Sequence, residues 1–189
     1  SATPTVFLGG TDRLVGGGSK SASKYRFSVY SFGIDRKLES KPAVTISLDA
    51  AHDQSTVTVK ASAEAKDATG DLKLRIALVE EVVRFTGGNG LSEHRAVVRQ
   101  MIGTPVGIPL VNGAASHSSV VELTAVSEGL KKYLDDFEKN PPDRHKLRKP
   151  PLLKEKKYEI NPDNLSLVAF VQDDTTKEVL QASYLKLMK

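Results

Sequence analysis

Residues 164–187, NLSLVAFVQDDTTKEVLQASYLKL, limit the possible folds of this chain more than any other stretch. Leu165, Leu167, Ala169 and Val171 alternate with Ser166, Val168, Phe170 and Gln172. After Asp173-Asp174-Thr175-Thr176 a second apolar run begins at Val179 and ends at Leu187. Two β-rich runs around a short polar segment predict a β-hairpin. Its first strand is apolar on both faces, as expected of a strand between two packed layers. This pattern speaks for architecture and carries no chemistry.

The alternation recurs earlier in the chain. Val44, Ile46 and Leu48 point one way, with Thr45, Ser47 and Asp49 opposite. Val57, Val59 and Ala61 repeat the pattern after a turn at 51–55. Leu72, Leu74, Ile76 and Leu78 repeat it again after a turn containing Gly70. Three consecutive strands with one solvated face predict an antiparallel sandwich or meander. Residues 80–85 extend the third as strand or loop, up to a glycine-rich turn at 86–90. Ser92 is read as the cap of a short helix through Glu93, Val97, Val98 and Met101. Residues 119–126 read as a strand. Residues 127–139 read as a helix on the stripe Leu130, Tyr133, Leu134, Phe137.

At the N-terminus, residues 3–8 and 13–15 predict two short strands around Gly9-Gly10. A helix follows from Ser19, with Phe27, Tyr30, Ile34 and Leu38 on one face and Tyr25, Val29 and Phe32 on the other. A helix with two apolar faces has neighbours on both sides or has lost one. Alternation at Tyr25, Phe27 and Val29 also fits a strand. The opening Ser1-Ala2-Thr3-Pro4, without a leading Met, reads as a processed or trimmed chain.

Composition closes off several chemistries. The chain has 189 residues and no cysteine, so it holds no disulfide, thiolate nucleophile, CxxC pair or cysteine metal site. No apolar run approaches the ~20 residues that cross a bilayer as a helix. The net charge of +4 is local. Residues 143–157 carry seven Lys or Arg against Asp143 and Glu155, a net +5 that leaves −1 for the remainder. With prolines and no aromatic residue before Tyr158, this segment reads as a solvated crossover rather than a nucleic-acid or lipid site. Docking of Leu147, Leu152 and Leu153 on the sandwich is the competing reading.

The polar candidates are few. Arg84, His94, Arg95 and Arg99 surround the 87–90 turn and form a candidate grip for a carboxylate or phosphate. Salt bridges to Glu80, Glu81 and Glu93 are the plainer account. His94, His117 and Glu80 are the only imaginable metal set, without recognisable ligand spacing, so no metal and no cofactor are expected. His52 and His145 read as surface groups. Gly16-Gly17-Gly18-Ser19-Lys20-Ser21 lacks the phosphate-loop spacing, and no GxSxG elbow exists. Asp173-Asp174 is a poor calcium site that turn chemistry explains.

VAFVQDDTTKEVLQA (168–182) and RIALVEEVVRFTGGNGLSEHRAVVRQMIGTPVG (75–107) resemble the β-sandwich of the outer-membrane-protein-related thioredoxin-like family. These are exported bacterial proteins in which a thioredoxin-like domain precedes a sandwich. The resemblance covers roughly residues 42–189. TPTVFLGG (3–10) is then similar to the strand after the cis-proline of a thioredoxin fold, with Pro4 as the cis-proline candidate. It implies a mainly β fold: residues 1–41 as the closing hairpin and helix of a thioredoxin-like domain, and 42–189 as an antiparallel β-sandwich. A basic, proline-containing crossover lies at about 140–160. It further implies an extracytoplasmic, non-catalytic binding or structural module. Its partner would be the missing thioredoxin-like part or a second copy. The alternative is an accessory domain of a thiol-disulfide oxidoreductase whose redox motif lies upstream.

Overall fold

The computed structural model describes residues 5–15, 19–66, 69–86, 90–141, 153 and 155–187. Pro4, Gly16-Gly17-Gly18, His145, Leu147, Leu152 and most of the basic segment lie outside them.

Two β-sheets enclose one core. The first holds β3 (Val44–His52), β4 (Thr56–Ala65) and β8 (Ala114–Glu122) in the order β3-β4-β8. The second holds β5 (Leu72–Arg84), β6 (Glu93–Ile102), the two-residue β7 (Ile108–Pro109), β9 (Leu165–Asp173) and β10 (Val179–Lys186). Its order is β10-β9-β5-β6, with β7 also paired to β5. Every pairing in both sheets is antiparallel. The expected antiparallel β-sandwich is what forms. Helix α2 (Leu123–Lys139) follows β8 directly and packs at the β6–β8 side.

The core follows from the alternation. Val57, Val59, Ala61 and Ala63 of β4 face Leu74, Ile76 and Leu78 of β5 and Leu165, Leu167, Ala169 and Val171 of β9. These four β9 residues are fully buried. At about 25 cal/mol per Å² of apolar surface, this shared layer is the main stabilising term. The outer face of β9, from Ser166 to Gln172, is buried or half-buried too, as the both-face pattern predicted. The closing hairpin is β9–β10. Asp173 accepts the Thr175 and Thr176 amides at its tip, while Asp174 binds Lys73 and Arg75. Both carboxylates are thereby committed to turn and ion-pair chemistry.

Three local expectations are corrected. Residues 93–102 form strand β6, not a helix. Ala96 has φ 53°, and the register slips so that Leu78 faces Gln100 while Val79 faces Val98. These two irregularities break the two-residue period and imitate helical spacing. Second, the strand read at 119–126 runs over Ala114–Glu122. Leu123 and Val126 are buried on α2, with Leu130 half-buried in line, a helical i, i+3, i+7 stripe. Third, of the sandwich and meander readings for these strands only the sandwich holds: β4 and β5 do not pair, and the chain crosses there from one sheet to the other.

The N-terminal unit is a hairpin of β1 (Thr5–Leu8) and β2 (Asp12–Val15) with helix α1 (Ser23–Leu38). The helical alternative for this segment is the one that forms. Gly33 lies against Leu8, and Lys37 reaches Thr11 and Asp12. The half-buried side is Arg26, Val29, Tyr30, Gly33 and Lys37, between the two expected apolar faces. Phe27, Ile34 and Leu38 on one flank, and Tyr25 and Phe32 on the other, remain exposed. The unit docks on the tip of the closing hairpin: the Val179 amide donates to the Gly9 carbonyl at 2.9 Å.

Candidate functional site

The β5–β6 hairpin carries all four polar candidates but separates them. Arg84 and Arg95 both extend into solvent beside Glu93, at 3.5 and 3.3 Å. His94 stands next to them, its Nε2 3.0 Å from the Phe85 carbonyl and its ring tilted against the Phe85 ring. The candidate anion grip thus has an acid at its centre.

Arg99 lies elsewhere. It stands two residues beyond Val97, the partner of Glu80, and so points to the inner face, where its side chain is 5% exposed. Its Nε stands 3.3 Å from Glu80 Oε2, on a side chain 7% exposed. One terminal nitrogen donates to the Glu159 carbonyl at 2.9 Å. Burial pushes the Glu80 carboxyl above its ordinary value of 4.5. The Arg99 charge, the Asn161 backbone amide and the Asn164 side chain pull against that rise. Burial likewise lowers Arg99. The pair pins the segment leading into β9 onto the inner side of β5 and β6.

A groove of about 640 Å³ opens between β6, β8 and α2. Ile102, Val121, Val126 and Leu130 supply apolar walls. Arg99 and His117 supply the polar ones. His117 Nε2 lies 3.0 Å from Ser119 Oγ. No signal for this groove is visible in the sequence, because each of its walls begins where a strand or helix boundary is misread. Among the described residues no three His, Asp or Glu side chains converge as a metal site. Of the imagined set, Glu80 faces Arg99, His94 faces Phe85 and His117 faces Ser119.

Two further clusters hold the periphery. Lys156 joins Asp135 and Glu138 of α2 at 2.6 Å each, and Glu138 also accepts the Leu153 amide. Lys156 thus stands in an ion-pair clasp rather than on a solvated cationic face. On the outer face of the second sheet, Glu81 accepts both the Ser166 and Tyr184 hydroxyls.

No protein-family model and no curated protein matches the chain. Among solved structures, HBP35 of Porphyromonas gingivalis superposes over 93% of this chain and 48% of its own, with a TM-score of 0.52 and 11% identity. A domain of the outer membrane lipoprotein Omp28 from Porphyromonas gingivalis matches over 79% of this chain and 91% of its own. Its TM-score is 0.47, with 15% identity. The HBP35 match passes a TM-score of 0.5, and at that identity the likeness speaks for the fold alone. The chain spans about half the length of the HBP35 chain it resembles.

Proposed function

We propose that this chain is a non-catalytic binding or structural module of an exported bacterial envelope protein. In this reading residues 42–189 are the sandwich, and residues 1–41 are the closing hairpin and helix of a thioredoxin-like domain. One observation carries it. Helix α1 buries none of its residues, while Tyr25, Phe27, Phe32, Ile34 and Leu38 face solvent over a sheet of only two four-residue strands. A two-stranded hairpin does not sustain such a layer alone, and an apolar surface of this kind marks a docking face. Its occupant is an upstream thioredoxin-like part, or a second copy where that part is missing. The HBP35 likeness supports the fold, and its coverage of about half of that chain supports a longer protein. Anion binding at Arg84, His94 and Arg95 is the subsidiary role, supported by the exposure of both guanidiniums.

The test compares residues 1–189 with residues 42–189. Removing 1–41 is expected to reduce binding of a hydrophobic dye and to leave the melting of the sandwich in place. A monomeric 1–189 with α1 amides strongly protected and no dye binding overturns the reading. An insulin-reduction assay on the longer protein separates the alternative: turnover assigns the sandwich to a thiol-disulfide oxidoreductase.

A further inference from the structure

The sandwich margins differ in how they are closed. At one margin β3 and β10 lie against each other. At the other, β6 and β8 leave a seam. The β6 margin is guarded in the usual ways, by backbone irregularities at Ala96 and Arg99 and by the charges of Glu93 and Arg95. β8 is not. It pairs with β4 over nine consecutive positions without a register shift. Its sequence, AASHSSVVE, holds no Lys, Arg or Pro, and its one charged residue is the terminal Glu122.

The ladder identifies which backbone groups remain open. Ala65 donates to the Gly113 carbonyl at 2.7 Å, and Leu123 donates to the Ser55 carbonyl at 2.8 Å. Odd-numbered residues of this strand therefore exchange hydrogen bonds with β4, and even-numbered ones point their N–H and C=O outward. Ala114 is satisfied by Val111. Among the described residues, nothing pairs with the outward groups of Ser116, Ser118 and Val120. All three side chains are exposed. The groove between β6, β8 and α2 opens along this edge.

We infer that β8 is a strand-pairing interface, and that a second copy of this chain occupies it, antiparallel about a two-fold axis at Ser118. The strand is self-complementary in that arrangement. Ser116 stands opposite the second copy's Val120, and Ala114 opposite its Glu122. The two acids lie at opposite ends, whereas parallel pairing in register sets them side by side. The charged row beside Ser118 is balanced within each copy, because Lys60 stands directly across from Asp49. The product is a continuous six-stranded sheet, β3-β4-β8 joined to its symmetry mate. It is independent of any thioredoxin-like part at the N-terminus.

The absence of native cysteine makes the test specific. At a hydrogen-bonded antiparallel pair the Cα atoms stand about 5.5 Å apart, within the reach of a disulfide. Under mild oxidation Ser118→Cys is expected to give a covalent dimer, and Ser47→Cys, exposed on β3 at the opposite margin of the same sheet, to stay monomeric. Ser116→Cys mixed with Val120→Cys is expected to cross-link, and neither alone. Ser118→Lys is expected to abolish association in sedimentation velocity while leaving the circular dichroism and melting temperature unchanged. Equal linking of Ser118→Cys and Ser47→Cys overturns the inference, as does association that survives Ser118→Lys. A chain that stays monomeric at every concentration, yet binds an added extended peptide with protection of the Ser116–Val120 amides, also overturns the second copy as occupant.

Discussion

Replacing Arg99 by Met tests the account of the buried pair most directly. The perturbation removes a guanidinium 3.3 Å from a carboxylate, both nearly excluded from water. At an effective dielectric of about 20, that separation corresponds to roughly 5 kcal/mol of attraction. The lost bond to the Glu159 carbonyl adds about 1.5–3 kcal/mol. Relief of the arginine's own desolvation offsets part of this, so the expected net cost is about 3–5 kcal/mol, as for other buried pairs broken on one side. Urea unfolding near neutral pH measures it. The pH dependence is the sharper check. Glu80 already has a folded value above 4.5, and losing Arg99 removes the cation that holds it down. The folded state then takes up a proton at a pH where the unfolded state stays ionised. The cost of Arg99→Met is therefore largest well above the folded value and shrinks as pH falls through it toward 4.5. Adding Glu80→Leu to the variant is expected to recover most of the loss. A cost below about 1 kcal/mol, typical of an exposed pair, refutes the reasoning, and so does a cost that is the same at both ends of this range.

Three other expectations follow from single positions. Gly10 has φ 82°, and a Cβ there falls 1.9 Å from the Lys177 carbonyl oxygen, so Gly10→Ala should detach the N-terminal unit. Hydrogen exchange would then rise at the Val179 amide and leave the Val59 and Leu74 amides unchanged. Asp53 accepts the Ser55 and Thr56 amides and is held down to about 2 from 3.8. A lowered carboxyl stabilises the fold above its ordinary value and loses that effect as pH falls through the folded one. Asp53→Asn should accordingly flatten the acid limb of the melting curve between 3.8 and about 2. Ile76→Ala, at a fully buried position on the central strand, should cost about 2–5 kcal/mol by chemical denaturation.

The strands visible in the sequence are those whose alternation is uninterrupted. β3, β4, β5 and β9 place apolar residues at every second position, and that face is buried on β4, β5 and β9 and half-buried beyond Val44 on β3. β6 escapes detection because the left-handed Ala96 and the one register slip at Arg99 interrupt its alternation. The first half of β8 escapes because Ala and Ser carry little periodic signal. Which strands share a sheet is not written in their periods at all. The β4–β5 crossing depends on where the inner faces meet, and a period of two is the same whether neighbours in sequence pair or oppose. On α1 the stripe of largest residues is the exposed flank, and smaller or longer polar residues make the contact. Size and hydropathy rank Phe27 above Gly33, whereas close approach to Leu8 ranks Gly33 first.

The candidate sites differ in legibility for the same reason. Arg84, Arg95 and Arg99 are equivalent by residue type and lie on the two strands of one hairpin. Arg84 and Arg95 lie at the open end of the β5–β6 hairpin, in water beside Glu93, whereas Arg99 lies deeper along β6 and is buried against Glu80. Side-chain chemistry names the group, and backbone geometry decides its role. The β8 edge carries this further. Its recognition elements are the N–H and C=O groups of Ser116, Ser118 and Val120, which every sequence possesses and no motif distinguishes. They become a surface only because β4 satisfies the alternate residues, because the ladder runs nine positions without a slip, and because short side chains leave the outward groups uncovered. An interaction carried by the main chain is specified by register, so its first trace in the sequence is the pattern that sets the register: the buried Ala115 and Val121 of β8 against Ala63 and Val57 of β4.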